Sequence, residues 1–288
     1  MSDKIILLTG CSSGFGRLLV SEFLREGFRV IATMRDAENR QAIFNEELQK
    51  YADRLSLLSL DVANEAERHA VKTFIEERCA GTLDCLVNNA GYGLFGAVED
   101  LSEAQIREQL EVNFFGLALL TQELLPQLRN AKGRIINLSS VLGIAAMPMS
   151  ALYCASKFAV EGFSEGLYYE LKPHGVQVAL VEPGGFRTSF ADKVTWGEKS
   201  FDNASPYRKQ TAAYSRYREK RASGAGVAPT PVIKAVLKLA KAKKMPLRVR
   251  CGNDAKAAYA VKRVLPEWLQ TKVFSSVYGK IFVGEKDS

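Results

Sequence analysis

Histidine is nearly missing from this sequence: only His69 and His174 occur, far apart in the chain. Cysteine is sparse too. Cys11, Cys79, Cys85, Cys154 and Cys251 make an odd count, and no two form a C-x-x-C pair. Zinc sites draw on clustered His and Cys, and disulfide frameworks on closely spaced pairs, so neither a metal site nor a cystine scaffold is expected. Reduced thiols fit a reducing compartment, and the expected location is cytoplasmic. No apolar run approaches the roughly 20 residues that cross a bilayer, so no transmembrane segment is expected. A signal peptide is not expected either. The run Lys4 to Leu8 is too short for a signal core and leads into Thr9-Gly10. Internal repeats and low-complexity tracts are absent, which excludes solenoids and disordered arrays.

What is present describes an ordinary globular chain. Its 288 residues are 47% hydrophobic and 25% charged, enough for one large domain with its own core. The net charge of +7 is unevenly spread: residues 201–288 carry 19 Lys and Arg against 6 Asp and Glu. Such a tail is either a solvated basic face or a surface for an acidic partner, an acidic carrier or an anionic membrane surface. It holds no recognition motif for nucleic acid, and no nucleic-acid partner is expected.

Short apolar runs alternate with helical patterns over the first 185 residues. Ile5–Leu8, Phe28–Thr33, Leu55–Leu60, Asp84–Asn88, Gly133–Leu138 and Val176–Glu182 are strand-length and mostly lack polar alternation. Strands buried on both faces of a parallel sheet read this way. Gly16–Glu26, Asn64–Cys79 and Ala151–Lys172 read as intervening helices. Repeated βα units predict an α/β fold, a Rossmann-type doubly wound parallel sheet of about seven strands. Residues 186–226 break the rhythm with Trp196, Phe201, Tyr207, Tyr214 and Tyr217, a composition suited to a substrate loop or lid. A helix over Asn203–Tyr217 and a flexible Ala222–Gly226 are expected within it. Thr230 then caps a helix to about Lys243, with Pro231 in its first turn. Leu247–Val249 is the last strand. Two short helices broken at Pro266 form a C-terminal extension whose apolar face is expected to cover core. The expected organisation is one domain, 1–288: a cofactor-binding and catalytic core (1–185), the loop (186–226) and the last helix, strand and extension (227–288).

The first strand runs into Thr9-Gly10-Cys11-Ser12-Ser13-Gly14-Phe15-Gly16. Glycines after a strand let backbone approach a pyrophosphate, and the following helix N-terminus offers free N–H groups. Further short motifs follow in order: Leu60-Asp61-Val62, Asn88-Asn89-Ala90-Gly91, Asn113, Asn137-Leu138-Ser139-Ser140, Tyr153-x-x-x-Lys157 and Pro183-Gly184-Gly185. Together they resemble the short-chain dehydrogenase/reductase family over about residues 4 to 190. The resemblance implies hydride transfer between a nicotinamide and a carbonyl or alcohol. It assigns cofactor contacts to Gly10, Ser12, Ser13, Gly14, Phe15, Gly16, Asp61, Val62, Asn89, Ala90, Gly91, Tyr153, Lys157, Pro183, Gly184 and Thr188, with Asn88 beside them. Arg35 falls where relatives that use NADP carry their arginine, and Met34 where relatives that use NAD carry an acid. NADP(H) is therefore favoured, with Arg17 near enough to assist and NAD(H) left as the alternative.

Reduction of a ketone needs a proton donor for the emerging alkoxide. Tyrosine alone is a poor one near neutral pH, but a cation nearby lowers its pKa. Tyr153 and Lys157, four apart on one helix face, supply that pair. The resemblance makes Tyr153 the general acid/base and gives Lys157 the tasks of lowering its pKa and holding the nicotinamide ribose. It makes Ser140 the substrate-orienting hydroxyl and Asn113 the holder of local helix geometry. The segment Gly143–Met149, with Tyr92, Leu94 and Phe95, is apolar and points to a lipophilic ketone or secondary alcohol. The resemblance runs towards hydroxysteroid and retinol dehydrogenases and implies a homodimer or homotetramer. A 3-oxoacyl-carrier-protein reductase and a catalytically silent cofactor-sensing protein are the alternatives.

Overall fold

The computed structural model describes residues 4–188, 194–223 and 227–282, side chains of 221–223 excepted. Hydrophobic runs without polar alternation demand cover on both faces, and the chain provides it. β1 (Ile5–Leu8) is wholly buried and leads into α1 (Gly14–Arg25), which buries Leu19, Val20, Phe23 and Leu24. β2 (Arg29–Met34) follows, then the short α2 (Ala37–Arg40) and α3 (Asn45–Lys50). β3 (Leu55–Ser59) leads to α4 (Glu65–Arg78), whose cap Asn64 accepts from the Glu67 N–H. β4 (Cys85–Asn88) and β5 (Gly93–Phe95) come next, with α5 (Glu103–Leu110) closed by a Ser102–Gln105 capping box. A single widened turn over Glu111–Phe115 joins it to α6 (Gly116–Asn130).

β6 (Arg134–Leu138), α7 (Ala151–Leu171) and β7 (Gln177–Pro183) complete the central βα pattern. Beyond it lie β8 (Val194–Trp196), α8 (Arg208–Ser223), α9 (Thr230–Lys241), β9 (Arg248–Cys251), α10 (Asn253–Val264) and α11 (Glu267–Phe282). The main sheet has seven parallel strands in the order β3-β2-β1-β4-β6-β7-β9. Connections reverse direction between β1 and β4, and a ligand crevice opens at such a switch point, beyond the strand C-termini. Two apolar clusters, one per face, pack helices on the sheet. β5 and β8 form a separate two-stranded parallel pair.

Three expectations need correcting. The expected helix over Asn203–Tyr217 runs instead over Arg208–Ser223; residues 224–226 of the expected flexible stretch lie outside the described residues. Pro229 occupies the cap of α9, placing Thr230 and Pro231 inside its first turn. The extension touches the sheet only at its edge, where α10 meets β9 and buries Ala255; α11 does not cover the sheet core. Val264, Trp268 and Val277 are exposed, and α11 buries no residue fully. It packs instead on α8 and the aromatic cluster around Phe95, Tyr153 and Tyr214, reached by Ile281 and Phe282. The seven-stranded sheet already has its cover, so this face had no apolar surface of the sheet to meet.

Candidate active site

A cleft of 840 Å³ opens at the switch point. Its floor is the β1–α1 loop. Gly10 has φ +71°, and a Cβ there would lie 2.8 Å from the Ala90 Cα, so only glycine lets the two loops touch. Gly16 abuts the Gly10 carbonyl and the Asn89 amide; it sets how closely α1 approaches β4 and does not itself face the cleft. Thr9 ties the loops together: its hydroxyl accepts from the Asn89 N–H (3.0 Å) and the Ala90 N–H (2.9 Å). The Asn89 amide donates back to the Thr9 and Gly10 carbonyls.

Gly10, Ser12, Ser13, Gly14, Phe15, Arg35, Asp61, Val62, Asn89, Ala90, Gly91, Pro183, Gly184 and Thr188 all line this one cleft, with Ser140, Tyr153 and Lys157. Ser13 stands at the cap of α1 but makes no side-chain cap bond, and no acid sits in the first turn. The helix therefore presents unspent N–H groups and its positive end to the cleft, a cradle for a phosphate. Phe15 meets Phe186 edge-on at 6.2 Å across it.

Two residues expected at the cofactor are engaged elsewhere. Arg17 forms a forked ion pair with Glu47 (2.7 Å and 3.1 Å), donates to Ser21 and stacks on Phe44. Its guanidinium is satisfied by these partners and Arg17 is absent from the cleft lining. Asn88 is buried beneath the site, donating to Thr121 and Asn137 to hold β4 against β6 and α6.

Ser140, Tyr153 and Lys157 also line the cleft. Ser140 follows β6 by two residues and Tyr153 lies in the first turn of α7; their hydroxyls are hydrogen-bonded. The Lys157 ammonium lies 5.9 Å from the Tyr153 ring centre and donates to the Leu138 carbonyl at 2.9 Å. Burial pushes the Lys157 pKa down to about 8, against the pull of the Glu161 carboxylate. Burial also pushes Tyr153 up to about 12, opposed by the Ser140 hydrogen bond and the Arg218 charge. Among these groups desolvation outweighs the nearby cations, and the phenol stays protonated. Asn113 does not face the cleft. Buried in the widened turn, it accepts from the Tyr92 N–H and donates to the Tyr92 carbonyl and Ser156, fixing the Gly91–Tyr92 backbone beside Lys157. Ser139, the neighbour of Ser140, turns to Gly143.

Sequence reading missed Arg40, Asp254 and Arg218 on the cleft lining. Arg40 joins Arg35 on the cleft lining because α2, just after β2, packs against the end of β3, where the Ala37 N–H donates to Ser59. The run Arg35-Asp36-Ala37-Glu38-Asn39-Arg40 carried that signal in its charges. Asp254, at the start of α10, accepts from the Gly185 N–H at 2.7 Å and pins the loop after β7. Tyr217 and Arg218 reach in from α8, 64 and more residues beyond Tyr153. Aromatic composition pointed to Tyr217, but local pattern could not announce Asp254 or Arg218.

The family description short chain dehydrogenase matches residues 4–199. A 3-ketodihydrosphingosine reductase of Bacteroides thetaiotaomicron is 35% identical over 93% of this chain and 94% of its own length. The mitochondrial D-beta-hydroxybutyrate dehydrogenase of Mus musculus is 42% identical over 64% of this chain and 55% of its own. A solved short-chain dehydrogenase from Streptomyces avermitilis superposes with TM-score 0.79 at 31% identity, covering 98% of both chains. A serine dehydrogenase solved with NADP+ gives 0.69 at 27%, covering 86% of this chain and 93% of that one. The chain belongs to the short-chain dehydrogenase/reductase family and is an oxidoreductase acting on CH–OH or C=O groups.

Proposed function

We propose that this enzyme is an NADP(H)-dependent reductase of lipophilic carbonyl compounds. One observation carries the reading: a glycine loop with unspent helix N–H groups, two arginines and the Ser140–Tyr153–Lys157 group share one cleft. That cleft fits a dinucleotide. Gly10, Ser12, Ser13 and Gly14 would hold the pyrophosphate, Asp61 and Val62 the adenine, and Gly91, Lys157, Pro183, Gly184 and Thr188 the nicotinamide half. Arg35 and Arg40 would pair with a 2′-phosphate, an interaction that a plain ribose cannot offer. When bound, the nicotinamide supplies or accepts the hydride.

The chain's own residues do the rest. Ser140 and Tyr153 hydrogen-bond the carbonyl oxygen and orient it. The protonated Tyr153 gives its proton to that oxygen as negative charge develops. Lys157 holds positive charge beside the phenol and favours the phenolate left behind. Asn113 acts through Tyr92 and Ser156 as a positioning residue. A phenol held protonated by burial suits the reducing direction.

Met147, Leu142, Val194, Tyr217 and Phe95 form an apolar substrate wall, in line with relatives named for ketosphingoid and retinol substrates. The five buried thiols suit a reducing cytoplasm. Exposed Phe115, Phe158 and Tyr169, on the segments that carry Asn113 and Tyr153, support a homodimer or homotetramer, which light scattering tests. The test of the cofactor reading is fluorescence titration with NADPH and NADH. NADPH binds more tightly, and Arg35→Ala removes most of the difference. Equal binding of both by the unaltered enzyme would overturn it.

A further inference from the structure

Among the apolar side chains Phe95, Leu142, Met147 and Val194 of the cleft stands one charged side chain from α8. α8 carries Arg218 into the cleft, where its guanidinium carbon sits 3.9 Å from the centre of the Phe95 ring. Phe95 is buried, and its ring lies 5.7 Å from that of Tyr153. The guanidinium thus stands one aromatic ring from the proton donor and within electrostatic reach of its phenol. Its polar partner is the Tyr214 hydroxyl, itself hydrogen-bonded to Ser150 at 2.8 Å. No carboxylate of the described residues pairs with Arg218. Glu108, also on the cleft, is an exposed residue on α5 whose charge is felt by Tyr92.

A guanidinium has five N–H donors in a planar fork and cannot shed its charge near neutral pH. Facing an apolar wall, with one hydroxyl and one ring as company among the described residues, it is under-solvated. Burial lowers its pKa, in keeping with that. A neutral hydrocarbon substrate would deepen the desolvation without supplying an acceptor. A carboxylate would fill the fork with two charge-assisted bonds.

We propose that Arg218 is a substrate-anchoring residue and that the substrate is an oxo acid or hydroxy acid: an apolar body with a carboxylate a few bonds from the reacting carbon. This rests on the reading of the cleft as a carbonyl-reducing site and names the substrate class within it. Ammonium-bearing ketones are disfavoured by the same charge.

The test is calorimetric binding to the NADP+-saturated enzyme, so that it does not depend on turnover. The probes are a medium-chain γ-oxo acid, its methyl ester, and the matching ketone ending in an amine. The acid binds about ten- to a hundredfold more tightly than the ester, the range that charged hydrogen bonds supply. The amine binds more weakly than the ester. Arg218→Gln removes the acid's advantage, and Arg218→Lys, which keeps the charge without the fork, restores part of it. Unchanged NADP+ affinity shows that each variant is folded. Acid and ester binding alike in the unaltered enzyme would overturn the proposal, and so would an acid preference that survives Arg218→Gln. Failure of NADP+ to bind would refute the cofactor reading, and with it a substrate role for this cleft; intact NADP+ binding without acid preference would sink the Arg218 assignment alone.

Discussion

Replacing Thr9 by valine removes one hydroxyl and almost no volume, yet that hydroxyl is the acceptor for two backbone N–H groups on the opposite loop. Thr9 is 1% exposed, so no water replaces its oxygen from behind. Asn89 and Ala90 are half-buried, which lets solvent recover part of what their N–H groups lose. An unsatisfied buried donor costs about 1–3 kcal/mol. Two such donors, each taken in the lower half of that range, give about 2–4 kcal/mol for Thr9→Val. At roughly 2–4 °C per kcal/mol for a large domain, the thermal midpoint falls by about 5–15 °C. Thr9→Ser keeps the acceptor and loses only a methyl group, so its fall is much smaller. Because Asn89 and Ala90 also line the cleft, the valine variant binds NADPH more weakly as well. Calorimetry and fluorescence titration on the three proteins decide the matter. A valine variant within about 0.5 kcal/mol of the unaltered protein, an ordinary surface-substitution effect, would refute the tie between the loops.

Arg17→Ala lowers stability by about 1 kcal/mol, an ion-pair and stacking loss discounted for partial exposure, and leaves the preference for NADPH over NADH unchanged; a lost preference would return Arg17 to the cofactor. The ammonium of Lys157, with its pKa pushed down to about 8, is lost as pH rises through that value, so kcat falls on the alkaline side. Lys157→Arg shifts that limb upward, and a limb that stays near pH 8 in the variant assigns it to another group. The same depressed pKa means that between about 8 and the lysine's ordinary range the folded chain binds fewer protons than the unfolded one. Lys157 therefore adds stability as pH rises through that window, which the difference between unaltered and Lys157→Met melting curves reports. Tyr153→Phe abolishes turnover and keeps NADPH affinity within a few fold; retained turnover would remove Tyr153 from the proton transfer.

The sequence by itself determined what is local or periodic. Apolar runs without polar alternation specify strands with cover on both faces, and β1, β2, β3, β4, β6 and β7 appear within a residue or two of where those runs lie. A tight glycine turn has a short-range cause, and so does a Tyr–Lys pair one helical turn apart. Both were legible for that reason. Tertiary structure decided what depends on distant partners. Arg17 and Arg35 look alike as charges near a glycine loop, but Glu47 and Phe44 claim the first and leave the second on the cleft. Asn88 belongs to the same short motif as Asn89, but Thr121 and Asn137 draw its amide into the interior. The apolar C-terminal stripe has the spacing of a core-facing helix, yet the sheet face was already filled. Its last helix went to α8 and the Phe95–Tyr153–Tyr214 cluster, where α8 also brings Tyr217 and Arg218 to the cleft. Those contacts join residues far apart in the chain, and only packing of the whole molecule brings them together.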